Sequence, residues 1–79
     1  MMTVDKILEM LIDKFNEYDK MEHFYMDLRE QEEEMRHHKA AAQYDTMVEV
    51  YMARKREVAN IYADIKNIDW VDAYKEMKK

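Results

Sequence analysis

The sequence predicts an all-α fold: a long antiparallel helical hairpin followed by a short third helix, within a single domain spanning residues 1–79. Three observations predict it. The chain contains no glycine, proline or cysteine, which removes the residues of tight hairpin turns, phosphate-cradling loops and disulfide frameworks together. Apolar residues recur every seven positions in both halves of the chain, the spacing of helices that bury one face. The phase of that repeat breaks twice, near residues 36–40 and again after Ile68.

The first helix is expected over residues 3–36. With Val4, Leu11, Tyr18 and Tyr25 at heptad position a, Ile7, Met21, Leu28 and Met35 fall at d, and Lys14 is the polar exception. Leu8 and Phe15 at e, and Met10 and Phe24 at g, widen the stripe beyond a two-stranded seam. Thr3 is placed to cap the first turn, with Met2 and Ile7 at the positions of a hydrophobic staple. The second helix is expected over residues 40–67. Tyr44, Tyr51, Val58 and Ile65 take a; Met47, Ile61 and Ile68 take d; Arg54 is the polar exception there.

No breaker separates the two, and Ala40-Ala41-Ala42 favours helix. One continuous rod, on the order of 110 Å long at 1.5 Å per residue, is the competing reading. The loss of phase between Met35 and Ala40 argues for a turn near His37-His38-Lys39. A turn there sets Glu22 level with Lys55, both at e, and Lys14 level with Asp64. After Ile68 the apolar residues change frame, and Asp69 is placed to cap a third helix over residues 70–78. A helix this short is marginal alone and must dock.

Composition limits function more than it defines it. A 79-residue chain without cysteine has no disulfide to supplement a small core. The net charge is −5, which argues against general nucleic-acid binding. Residues 1–35 hold eleven acids and four bases (−7), and residues 36–79 hold seven acids and nine bases (+2). Halves of opposite sign attract when folded side by side. No apolar run approaches the roughly 18–20 residues of a membrane span, and the N-terminus lacks a signal-peptide pattern. A cytoplasmic protein is expected.

Candidate chemistry is sparse. Serine and cysteine are absent, so the usual hydroxyl and thiol nucleophiles are missing, and an enzyme is not expected. Glu34-Met35-Arg36-His37 has the Glu-x-x-His spacing of di-metal carboxylate bundles. It lies at the hairpin end with Glu34 on an outward position, so no metal or cofactor is assigned. Arg54-Lys55-Arg56 spreads over three helix positions and does not form one basic stripe. Asp19, Glu22, Asp27, Glu30, Glu33 and Glu34 make an acidic track, interrupted by Lys20 and Arg29, that would suit mimicry of nucleic-acid phosphates.

The nine methionines and six tyrosines fit both a helical core and a contact surface. Two sets of contact residues follow. Leu8, Phe15, Phe24, Val48 and Tyr62 are apolar positions beyond the reach of one helix–helix seam, and are expected to pair two chains as a homodimeric bundle. Trp70, Tyr74 and Met77 share one face of the third helix, and are expected either to close the bundle end or to meet a partner. The expected function is a non-enzymatic helical protein-interaction module. The alternatives are a small regulator or inhibitor, acting by acidic mimicry or surface occlusion, and a di-metal bundle.

Overall fold

The computed structural model describes residues 3–79. It contains three helices, α1 (Val4–Glu34), α2 (His38–Lys66) and α3 (Trp70–Met77); among the described residues there is no strand. The longest dimension is 49 Å, less than half the length of a continuous rod. The chain folds back at the predicted break. Both predicted caps form: Thr3 Oγ1 accepts from the Lys6 amide at 3.2 Å, and Asp69 Oδ1 accepts from the Asp72 amide at 2.9 Å. The expected contact of Met2 with Ile7 lies outside the described residues.

The hairpin turn comes a little earlier than predicted. α1 stops at Glu34 and not at Arg36, and α2 starts at His38 and not at Ala40. Arg36 adopts a left-handed backbone with φ 61°. Its amide donates to the Glu33 carbonyl at 3.0 Å, and the His37 amide donates to the Glu32 carbonyl at 2.8 Å. These are the two bonds of a Schellman ending, with arginine where glycine is usual. An L-residue in that region costs about 1–2 kcal/mol, which the packing of the two helices must offset. Asn67 ends α2 the same way at φ 56°, with the Ile68 amide bonded to the Ala63 carbonyl at 3.0 Å. Asparagine tolerates this conformation better than most residues.

The buried seam is rotated from the a/d frame. Along α1 the fully enclosed residues are Phe15 and Glu22, both at e; along α2 they include Ala41, Val48 and Tyr62, again at e. The a-position tyrosines are half-buried and stack across the turn half of the hairpin. Tyr25 lies 5.8 Å from Tyr51 and 6.1 Å from Tyr44, and Tyr18 lies 6.0 Å from Tyr51. The polar d residues Lys14 and Arg54 are exposed, as is Ile61. The expected Lys14–Asp64 match is replaced by a local pair, Lys14 with Glu17 at 3.4 Å. The expected Glu22–Lys55 pair forms at 2.8 Å.

The main core lies at the open end of the hairpin, where α3 docks. Phe15, Ala59, Tyr62, Ala63, Ala73 and Met77 form it, with Leu8, Leu11, Ile12, Val58, Ile68 and Tyr74 packed around them. Alanines at 59, 63 and 73 let α3 approach α2 closely. Phe15 meets the Tyr74 ring edge-on at 5.2 Å. Asn16 ties the C-terminus down: its amide donates to the Met77 carbonyl at 2.8 Å, and its oxygen accepts from the Lys79 amide at 3.1 Å.

This docking bears on two expectations. Phe15, Val48 and Tyr62 were expected to stay wet without a second chain, yet they are buried within one chain, Phe15 and Tyr62 under α3 and Val48 in the hairpin seam. Their apolar surface is not available to a dimer. Of the two roles expected for the Trp70, Tyr74 and Met77 face, Met77 takes closure of the bundle end and not partner contact, because it is fully buried in the core. Closure of the bundle end falls to Ala73, Met77 and the half-buried Tyr74, while Trp70 stays 59% exposed.

Candidate functional site

α3 covers the b and f positions of α2 and α1, including Ala59, Ala63 and Asn16. In an antiparallel pair the same heptad letter of both helices lies on the same side of the plane through their axes. The d and g positions therefore form the opposite side of the molecule. Two surfaces result, and each holds an exposed aromatic residue.

On the d/g side, Phe24 is 53% exposed and rests edge-on against Tyr25 at 5.3 Å. Met10, Met35 and Ile61 are also exposed there, and Met21, Leu28 and Met47 are half-buried. Leu8, of the expected dimer residues, is half-buried beside the core. Phe24 is the one residue of that set that the fold leaves open.

On the α3 side, Trp70 meets Tyr74 edge-on at 5.6 Å. Together with Met52 they wall a cleft of about 410 Å³. Glu22 and Lys55 line its depth, with Arg56 and Asn60 also contributing. The groups at depth are held rigidly: Lys55 Nζ donates to Glu22 Oε2 at 2.8 Å and to Asp19 Oδ1 at 2.9 Å, and it lies over the Phe15 ring at 5.7 Å. Burial works against the Lys55 charge, but the hydrogen bonds to Glu22 and Asp19 outweigh it and raise the ammonium above the ordinary lysine range. Asp19, Glu22 and His23 bring possible metal-ligating atoms within 4.8 Å of one another. The Lys55 ammonium already supplies the positive charge for both carboxylates.

A second ionic group ties α2 to α3. Glu76 Oε1 accepts from Lys66 Nζ at 2.8 Å and from the Tyr62 hydroxyl at 3.1 Å. The Lys66 bond, then the Tyr62 bond, hold Glu76 below the usual carboxylate value. Glu76 in turn raises Lys66. Burial, followed by the bond to Glu76, raises the Tyr62 hydroxyl.

These shifts set both edges of the pH profile. For Lys55, Lys66 and Tyr62, whose folded values are raised, the stabilising contribution is complete below their ordinary values near ~10. It is lost as pH climbs through the folded values. For Glu76, whose folded value is lowered, the contribution is present above about 4.3 and is lost as pH falls through the folded value. The melting temperature is expected to be level between about pH 6 and 9 and to decline above about pH 10. Thermal melts followed by circular dichroism check this; a rise above pH 10 would contradict the assignment.

The Glu34–His37 step is not on a helix, because α1 ends at Glu34. His37 Nδ1 instead lies 2.8 Å from Glu32 Oε2. The acidic track is also divided: Asp19 and Glu22 turn inward to Lys55, while Asp27, Glu30, Glu33 and Glu34 are exposed. The basic run divides likewise. Arg54 lies over Tyr51 at 5.6 Å, Lys55 is committed to the acids of α1, and Arg56 joins no ion pair among the described residues. Among the described residues no helix is long and apolar enough to cross a membrane.

Sequence reasoning found Trp70 and Tyr74 but missed Met52, Asn60 and Glu76. The signal for Glu76 was Lys66, a base in the last turn of α2 facing a helix that must fold back on it. Met52 and Asn60 carried none, because position b or c on α2 becomes part of a cleft only when α3 docks beside it. Compared with protein-family models, curated proteins and solved structures, the chain matches none of them.

Proposed function

We propose that the protein is a non-enzymatic helical protein-interaction module that works as a homodimer. The observation that carries this reading is the d/g face of the hairpin. Phe24, Met10, Met35 and Ile61 are each about half exposed on it, with further methionines half-buried beside them. Aromatic and methionine side chains are enriched at protein interfaces, where a buried aromatic often dominates the binding energy. A stable interface needs about 800 Å² from each partner, and a face running along a 49 Å hairpin has room for it. The ionisable groups deepest in the α3 cleft are engaged with one another, which favours a structural role for them over catalysis. The acidic-mimicry alternative is weakened because two of its six charges, Asp19 and Glu22, serve Lys55.

Sedimentation equilibrium at micromolar concentration is expected to give about twice the 9.8 kDa chain mass. Phe24→Ser should weaken association by about 10–100-fold and leave the monomer folded, since Phe24 is not part of the core. A wild-type chain that stays monomeric throughout would end the homodimer reading. Dimers unaffected by Phe24→Ser would move the interface elsewhere.

A further inference from the structure

The cleft beside Trp70 does not end at Met52. A second depression of about 200 Å³ continues along α2, lined by Glu49, Met52, Ala53 and Arg56. Met52 and Arg56 line both, so the two form one open groove. From Asn60 to Glu49 the groove follows eleven residues of helix, about 16 Å. That is an elongated trough on the surface and not an enclosed pocket.

Its chemistry is ordered along its length. At one end Trp70 and Tyr74 offer apolar walls, with the indole 59% exposed; Met52, 42% exposed, lies one helical turn beyond Arg56, between it and Glu49. In the middle stands Arg56, which joins no ion pair among the described residues. At the far end is Glu49, exposed and likewise in no ion pair among the described residues. Lys55, at depth, is held between Glu22 and Asp19, which leaves Arg56 as the cation open to an occupant.

We propose that this groove docks a short segment of a partner protein that carries a bulky apolar side chain, then a carboxylate, then a basic side chain. The apolar group seats against Trp70 and Tyr74; the carboxylate meets Arg56; the intervening backbone crosses Met52 and Ala53; the base meets Glu49. The order follows from charge complementarity along the trough. The length favours a peptide over a small molecule, because about five extended residues at 3.3 Å each span it. The proposal rests on reading the chain as an interaction module, but uses the side of the molecule opposite Phe24.

Trp70 is the only tryptophan in the chain and reports directly on the groove. The probe is the peptide acetyl-Phe-Ala-Glu-Ala-Ala-Lys-amide, which has no tryptophan or tyrosine. Adding it to the full chain is expected to shift Trp70 emission to the blue and to saturate. The charge-reversed peptide, acetyl-Phe-Ala-Lys-Ala-Ala-Glu-amide, should bind at least about fivefold more weakly. In the double variant Arg56→Glu/Glu49→Arg that order should invert; both residues are exposed and outside the core, and a melt of the variant verifies its fold. Four results would each overturn the proposal: no saturable shift, equal binding of both peptides, phenylacetate binding as tightly as the peptide, or an emission shift driven by protein concentration alone. The last would make a second copy of this chain the occupant. None of these outcomes alters the sedimentation result at Phe24, so failure of this docking site and failure of the homodimer are separately visible.

Discussion

Phe15→Ala is expected to destabilise the fold by about 3–5 kcal/mol, the cost of deleting a fully enclosed aromatic side chain. A chain of this length has a total stability of roughly 4–12 kcal/mol, so the variant should sit near the edge of folding. The expected size follows from where the ring lies. Phe15 has no exposed surface and belongs to the one cluster that joins all three helices. Its edge contact with Tyr74 holds α3, and the Lys55 ammonium lies over its face. Phe15→Leu, which refills most of the volume, should lose much less. Urea unfolding with the midpoint and slope both measured checks the pair of variants. A loss below about 1 kcal/mol for the alanine variant would mean that the core is not organised around this ring. Because Phe15 is buried within one chain, the loss should persist at concentrations where the protein is monomeric.

The position of Phe15 also marks what the sequence made legible and what it did not. The three helices, their order and the caps at Thr3 and Asp69 all follow from periodicity and capping chemistry. The Glu22–Lys55 pair follows from the register of the hairpin. The direction each helix faces does not. The apolar stripe covers a, d, e and g, so several rotations bury a similar area, and the repeat alone does not choose between them. The choice is visible in the exceptions. Lys14 and Arg54 both occupy d, and the fold turns that edge outward on both helices. Alanines at 41, 59 and 63 sit where another helix comes close. Reading those polar and small residues together, instead of counting apolar ones, would have placed the seam at e.

The turn was hidden for a different reason. Arg36 takes a backbone conformation that glycine normally announces, so the sequence carries no local mark beyond the lost phase. The third helix was legible as an element, but its orientation was not. Trp70, Tyr74 and Met77 lie near one another on a helical wheel, and the larger ring is the natural choice for burial. Docking on Ala59 and Ala63 instead centres the buried face on Ala73 and Met77, which leaves the indole at the edge. The exposed Trp70 groove is thus a consequence of close α2–α3 packing, and its Met52 and Arg56 wall belongs to a different helix from the one that supplies the aromatics.

The second large effect is expected at Lys55. Its side chain is 13% exposed, that of Glu22 is 8% exposed, and they meet at 2.8 Å. Lys55→Met keeps much of the aliphatic packing but removes the cation from between two carboxylates. Glu22 is then a buried charge without a partner, a situation that typically costs about 3–5 kcal/mol. Asp19, at 21% exposure, can recover more hydration and should contribute less of the loss. Adding Glu22→Gln to Lys55→Met removes the stranded charge, and the double variant should regain most of the lost stability. The coupling between the two substitutions is the quantity to measure, since each single change also alters packing. Urea unfolding of the wild type, both single variants and the double variant supplies every value required. No recovery in the double variant would mean that Lys55 stabilises the fold through its aliphatic packing and not through its charge.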